Sequence, residues 1–134
     1  MKTRAMLTLE DCKRISAAAE AEARKNNWNV CVAIVDDGGH LLHLFRMDGA
    51  TPANSRIAIE KGRTSAETRR STAMWEERIK SGRTAMLKMP GVTPIQGGLP
   101  IVIDGECIGA VGVSGVQSHE DEQIAKAGIA VLSQ

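Results

Sequence analysis

Residues 30–47 read VCVAIVDDGGHLLHLFRM, and the fold turns on how they are divided. The first seven are almost wholly apolar and rich in β-branched side chains. That pattern predicts a central strand covered on both faces. Asp37, Gly38 and Gly39 supply a hairpin turn. Residues 40–47 are then the return strand, ended by Met47-Asp48-Gly49-Ala50. A strand covered on both faces calls for helices on either side of the sheet, and the rest of the chain can be searched for them.

On the N-terminal side, Thr8 opens a helix with Asp11 three residues later, a relative of the capping box. Leu9, Cys12, Ile15 and Ala19 recur at helical spacing. The alanine-rich run after them ends at Asn26-Asn27, and its small face lets a helix lie close to a sheet. On the C-terminal side, Thr51 reads as an N-cap and Pro52 as the first helical position. That helix runs to about Arg70, with Ala53, Ile57, Lys61 and Thr64 on one stripe. A third helix spans about Ser71 to Lys80, with Met74 and Ile79 turned inward, and a short helical turn follows through Leu87. Residues 89–98, MPGVTPIQGG, hold two prolines and three glycines and read as a loop. LPIVID and ECIGAVGVSG, hinged at Gly105, form a second hairpin. Ser118, with Asp121 three residues on, caps a last helix to about Leu132. The order is α-β-β-α-α-β-β-α. Hairpin-linked strands make the sheet antiparallel, so residues 1–134 form one α+β layered domain.

Composition narrows the function classes. The 134 residues carry 17 basic and 16 acidic side chains, a net charge of +1. That balance argues against nonspecific nucleic-acid binding. Two Trp, one Phe and no Tyr are too few for base-stacking platforms. A planar ligand would have to be held by aliphatic and methionine side chains. No apolar run suits a signal peptide or a membrane span. Cys12, Cys31 and Cys107 are widely spaced and read as buried free thiols. The expected setting is the cytoplasm.

Several residue sets invite chemistry. Gly109, Gly112 and Gly115 follow neither the dinucleotide nor the P-loop spacing. Gly109 and Gly112 read as packing positions on a covered strand. Gly115 stands just before the last helix, where backbone donors and a positive dipole end can meet an anion. His40 and His43 are three apart; on a regular strand they point to opposite faces and cannot chelate one ion without a bulge. With His119 they are the strong nitrogen donors from which a metal or haem ligand would come. Arg46 and Asp48 read either as a mutual ion pair or as a guanidinium aimed at a carboxylate. Lys61 points inward, towards a pocket or a partner charge. Glu120, Asp121 and Glu122 complement a helix dipole, and one of them can serve as a general base.

Taken together, AIVDDGGHLLHLFRMDGA, then Ser55 and Lys61, then QGGLPIVIDGECIGAVGVSG and EDEQIAKAG, resemble the GlcG/HbpS family of haem-binding or haem-degrading-type proteins. The C-terminal domain of PduO-type proteins belongs with it. The likeness runs from Leu7 to Leu132. It implies a profilin-like five-stranded antiparallel sheet with helices on both faces, including a short strand near residues 95–98. It also implies dimers or larger homo-oligomers. The family's motif positions map to Arg46, Asp48, Gly49, Lys61, Gly97, Gly98, Gly112, Ser114, Gly115, Glu120 and Asp121. Gly62 departs from the alanine common in such proteins.

The expected function is ligand binding. Haem or another planar carboxylate-bearing molecule would lie near a subunit interface, touched by Arg46, Asp48, Lys61, Gly97, Gly98, Gly115 and Asp121. His43, or else His119 or His40, would meet a haem iron. The alternative is an enzyme, of hydrolase, deaminase or isomerase type, acting on a small unsaturated organic acid from aromatic breakdown. There Glu120 would move a proton and Lys61 would stabilise negative charge. Neither reading has nucleic acid or a membrane as partner.

Overall fold

The structure is a computed structural model and describes residues 1–133. Its order is α1 Leu9–Lys25, β1 Cys31–Asp36, β2 Leu41–Arg46, α2 Ala53–Thr68, α3 Thr72–Lys80, β3 Gly98–Ile103, β4 Glu106–Ser114 and α4 Ser118–Ile129. Short 3-10 turns occupy Thr84–Lys88 and Ala130–Ser133. This is the order expected from the sequence. No helix is long and apolar enough to cross a membrane among the described residues.

The sheet corrects one expectation. It has four strands, not five, in the order β2-β1-β4-β3, and every pairing is antiparallel. Residues 95–97 form no strand, and Gly98 belongs to β3. Gly97 has φ +135°, a backbone state that turns the chain away from extended geometry. A single ladder-like bond survives there, from Val113 N–H to the Gly97 carbonyl.

The alternation along β1 divides the core into two layers. Val30, Val32 and Ile34 face Ile15, Ala19 and Ala23 of α1 and Ile124 and Ala125 of α4. Cys31 and Ala33 face Ala58 of α2, and Val35 meets Ala66 of α2. Every residue from Val30 to Val35 is 0% exposed, as a strand covered on both faces requires. Each fully buried aliphatic side chain contributes roughly 1.5–3 kcal/mol relative to exposure.

Small residues bring α2 onto the sheet. A Cβ on Gly112 would press into the Ala58 carbonyl and lie 2.5 Å from the Gly62 nitrogen. The glycine that departs from the family pattern therefore sits at the tightest helix–strand crossing. Gly109 has a different role, on the other face of β4, where a Cβ would fall 2.6 Å from Leu7 Cδ1 of the N-terminal segment.

The caps follow the sequence at one end of the fold and depart from it at the other. Thr8 and Asp11 form the reciprocal box on α1. Pro52 already has helical torsions, φ −57° and ψ −34°, with Thr51 just before it. Within α2, Lys61 and Thr64 are buried, Ile57 is half-buried and Ala53 is exposed. On α3 the fully buried side chains are Thr72 and Trp75, and Met74 and Ile79 are half-buried. The cap of α4 is Gln117 with Glu120, not Ser118 with Asp121. That shift releases Asp121 for another partner.

Candidate functional site

Lys61 crosses from one layer of the molecule to the other. Its helix, α2, lies on one face of the sheet, and α4 lies on the other. The ammonium donates to Asp121 Oδ2 at 3.0 Å and to the Val113 carbonyl at 2.9 Å. Both side chains are 2% exposed. The passage exists because β3 stops short: a Cβ on Gly97 would lie 2.8 Å from the Lys61 ammonium. A Cβ on Gly98 would press into the Lys61 carbonyl and meet the Thr72 methyl at 3.0 Å. Val113 gives its N–H to Gly97 and its carbonyl to Lys61, so the lysine stands where a longer β3 would have supplied a donor.

Asp121 is satisfied on both oxygens. Oδ1 accepts from Val116 N–H at 3.1 Å, and Oδ2 accepts from Lys61. Burial pushes its carboxyl above the ordinary aspartate range, and the Lys61 charge opposes that. Glu120 accepts from Gln117 N–H at 3.1 Å as part of the helix cap. Gly115, at φ +154°, lies against the Asn29–Val30 backbone, where a Cβ would sit 2.8 Å from Val30 Cα. Of the residues read as a ligand set around the last helix, Lys61 and Asp121 thus hold each other, and Gly115 is taken up by the neighbouring backbone.

Arg46 stands elsewhere. It pairs with Cys31, and Cys31 pairs on its other side with Ser114. Directly opposed residues share a face. Cys31 Sγ lies 3.6 Å from Ser55 Oγ of α2, and Ser114 donates to Asn54 at 2.8 Å. Arg46 therefore leaves the sheet on the α2 side, level with the first turn of that helix. It is exposed, as is Asp48, and the two form no ion pair among the described residues. Arg46 and the enclosed Lys61 ammonium do not line one open pocket.

The histidines are dispersed. His43 is three residues from Arg46 and so on the other face, where its Nδ1 lies 2.9 Å from Ser16 Oγ of α1. His40 is exposed at the hairpin turn beside Asp36, at 3.3 Å. His119 is exposed at the start of α4. No imidazole shares the α2 side of β2 with Arg46.

One surface was missed by sequence reasoning. Along the outer side of α2 runs an apolar concavity of about 660 Å³, walled by Pro52, Ala53, Ile57, Ile59 and their neighbours Arg56 and Glu60. Every wall residue belongs to the α2 segment. Beside it, Leu44 and Ile59 both pack against the Cys31, Ala33 and Ala58 cluster, and Leu42 is 40% exposed. Leu44 and Arg46 carried the signal, since they lie opposite Ala33 and Cys31 and share one strand face. It stayed hidden because nothing next to β2 in the sequence shows which part of that face a helix leaves uncovered.

A four-stranded antiparallel sheet between one helix on the first face and two on the second, with a lysine threaded to the last helix, defines a small α+β sandwich protein. The chain belongs to the HbpS-like family: residues 7–130 match its model, described as haem degrading protein HbpS-like. It is 50% identical to protein GlcG of Escherichia coli K12 over 114 residues, 85% of each chain. It is similar to the crystal structure of a Streptomyces reticuli HbpS double mutant, with TM-score 0.90 and 32% identity. That likeness covers 100% of this chain and 92% of the other. It is also similar to a crystal structure described as a PduOC:Heme complex, with TM-score 0.84 and 27% identity over 94% of each chain. The GlcG/HbpS resemblance seen in the motifs is therefore shown over nearly the whole chain.

Proposed function

We propose that the protein binds a planar, carboxylate-bearing small molecule, with haem as the type ligand, on the α2 side of β2 near a contact between subunits. The observation that supports this most is the likeness, over 94% of both chains, to a relative crystallised with haem. On this chain, Leu44 offers aliphatic contact on the same strand face, and Arg46 has no acidic partner among the described residues. An unpaired guanidinium beside an aliphatic side chain suits a carboxylate on an apolar body.

The iron end of haem fits less well. Among the described residues, no imidazole or thiol is open beside the residues that suit the carboxylates. Cys31 is on that side but 0% exposed, and His43 is on the opposite face of the sheet. The reading is therefore binding through carboxylate and apolar contacts, with no step through the metal. Lys61 and Asp121 support the ligand site indirectly, by holding α2 and α4 in place. Their mutual satisfaction favours binding over turnover.

The test is titration with haemin and with metal-free protoporphyrin IX, followed by absorbance and fluorescence quenching. The two should bind with affinities within a few-fold, and Arg46→Ala should weaken both by about tenfold, the scale of one charge-assisted contact. His43→Ala should leave both affinities unchanged. Failure of both porphyrins to bind would refute the proposal, and loss of haemin binding in His43→Ala alone would replace it with iron ligation on the α1 side.

A further inference from the structure

We infer that the end of α3 and the 3-10 turn Thr84–Lys88 form a docking surface for an anionic lipid bilayer, which they touch from one side and do not cross. The inference stands apart from the ligand reading at Arg46. Residues 80–85 are exposed without a break, and Leu87 and Lys88 are exposed after them. The 3-10 turn buries none of its residues and leans on α3. The backbone bonds donated by Ser81, Gly82, Arg83, Met86 and Met89 all end on carbonyls between Glu77 and Met86. A Cβ on Gly82, at φ +110°, would meet nothing within 4 Å. The segment is therefore an arm that projects from the sandwich, and no packing demand of the core accounts for its side chains.

Those side chains are one-sided in charge. The stretch from Arg78 to Lys88 holds four basic residues, Arg78, Lys80, Arg83 and Lys88, and no acid. The whole chain is only +1, so the rest of the molecule is net acidic and the near-neutral total conceals a basic patch. Lys80 has Glu76 at 3.3 Å, and Arg78 lies over the Trp75 ring at 5.2 Å. Arg83 and Lys88 have no acidic partner among the described residues. Between these two in the chain stands Leu87, 62% exposed, with Met86 and Met89 half-buried on either side of it in sequence. Charge and apolar surface together select the occupant. A nucleic acid would engage the cations, but it would leave Leu87 in water, and no aromatic side chain between Arg78 and Met89 offers a base a platform. A bilayer surface takes both: the cations meet lipid phosphates while a leucine enters the boundary between headgroups and acyl chains. Four basic residues are about the number at which such clusters engage an anionic leaflet. With one leucine as the apolar contribution, attachment is reversible and salt-dependent.

Co-sedimentation of the intact protein with vesicles tests this. Vesicles of equal parts phosphatidylglycerol and phosphatidylcholine should bind it about tenfold or more tightly than phosphatidylcholine alone. Raising salt from about 0.1 M to about 1 M shortens the screening length from about 10 Å to about 3 Å and should release the protein. The double variant Arg83→Glu, Lys88→Glu should lose about tenfold or more of the binding. Leu87→Ser should weaken it several-fold and leave the salt dependence in place. The double variant Lys13→Glu, Lys25→Glu makes the same change in net charge at exposed positions of α1 and should lose far less. Equal binding to both kinds of vesicle, full binding by the Arg83 and Lys88 variant, or an equal loss in the α1 variant would overturn the inference. Binding of a DNA duplex through Arg83 and Lys88, with no binding of vesicles, would overturn it too and assign the arm to a nucleic acid. If the arm variant fails to fold by circular dichroism, Leu87→Ser decides, and undiminished binding by that variant sinks the inference.

Discussion

An ammonium removed from water is costly unless charge and hydrogen bonds replace its hydration. Lys61 has both, from Asp121 and from the Val113 carbonyl. Asp121→Ala leaves the cation alone, and we expect a loss of about 3–5 kcal/mol. In the double variant Lys61→Met, Asp121→Leu more than half of that loss should return, because no charge stays buried. Urea unfolding of the single and double variants measures both, and additive losses would contradict the pairing. At the surface, Asp11 shows the opposite behaviour. The Thr8 backbone and hydroxyl donors hold its carboxyl below the ordinary value of 3.8. A lowered carboxyl contributes stability above its unfolded value, lost as pH falls through the folded one. Asp11→Ala should thus cost about 1 kcal/mol at neutral pH, and the difference from wild type should shrink in unfolding curves taken below pH 3.8.

At the scale of elements, α2 and β4 are matched by two glycines that behave differently. A Cβ on Gly62 would meet the Gly112 nitrogen at 3.4 Å and Val35 Cγ1 at 3.5 Å, which is ordinary contact. Its torsions are helical, so alanine only removes backbone freedom from the unfolded chain. Gly62→Ala should stabilise by about 0.5–1 kcal/mol. Gly112→Ala drives a methyl into the Ala58 carbonyl and should cost about 3 kcal/mol or more. Thermal unfolding of the two variants should move in opposite directions, and a shared direction would contradict the crossing geometry. The elements themselves were legible from periodicity, turns and caps. The α4 cap was misread because Ser118 and Gln117 both precede an acid at the right distance, and only the pull of Lys61 on Asp121 separates them.

For the whole molecule, the two sheet edges differ. β3 carries Pro100 near its centre, and a proline is tolerated there only with its nitrogen outward. Pro100→Val restores a donor on an open edge. It should leave unfolding stability within about 1 kcal/mol while raising light scattering on heating. Unchanged scattering would mean that the edge is guarded by something other than Pro100. The fifth strand expected from the resemblance is absent because a glycine at φ +135° ends the ladder where Lys61 passes through. The expected ligand set broke apart for a related reason. Lys61, Asp121, Gly97 and Gly98 meet inside the molecule, Arg46 faces solvent on the far edge strand, and His43 lies on the other face of the sheet.

Local chemistry suffices for much of this. The apolar run at residues 30–36, the Asp-Gly-Gly turn and the capping residues dictate strand, hairpin and helix from neighbours close in sequence, and the motifs in order determine the family. The partner of Lys61 is 60 residues away, and the surface beside Arg46 depends on how much of β2 is left uncovered by α2. Both are matters of packing across layers, where a side chain's role is set by what the fold brings against it. Only the tertiary structure decides that.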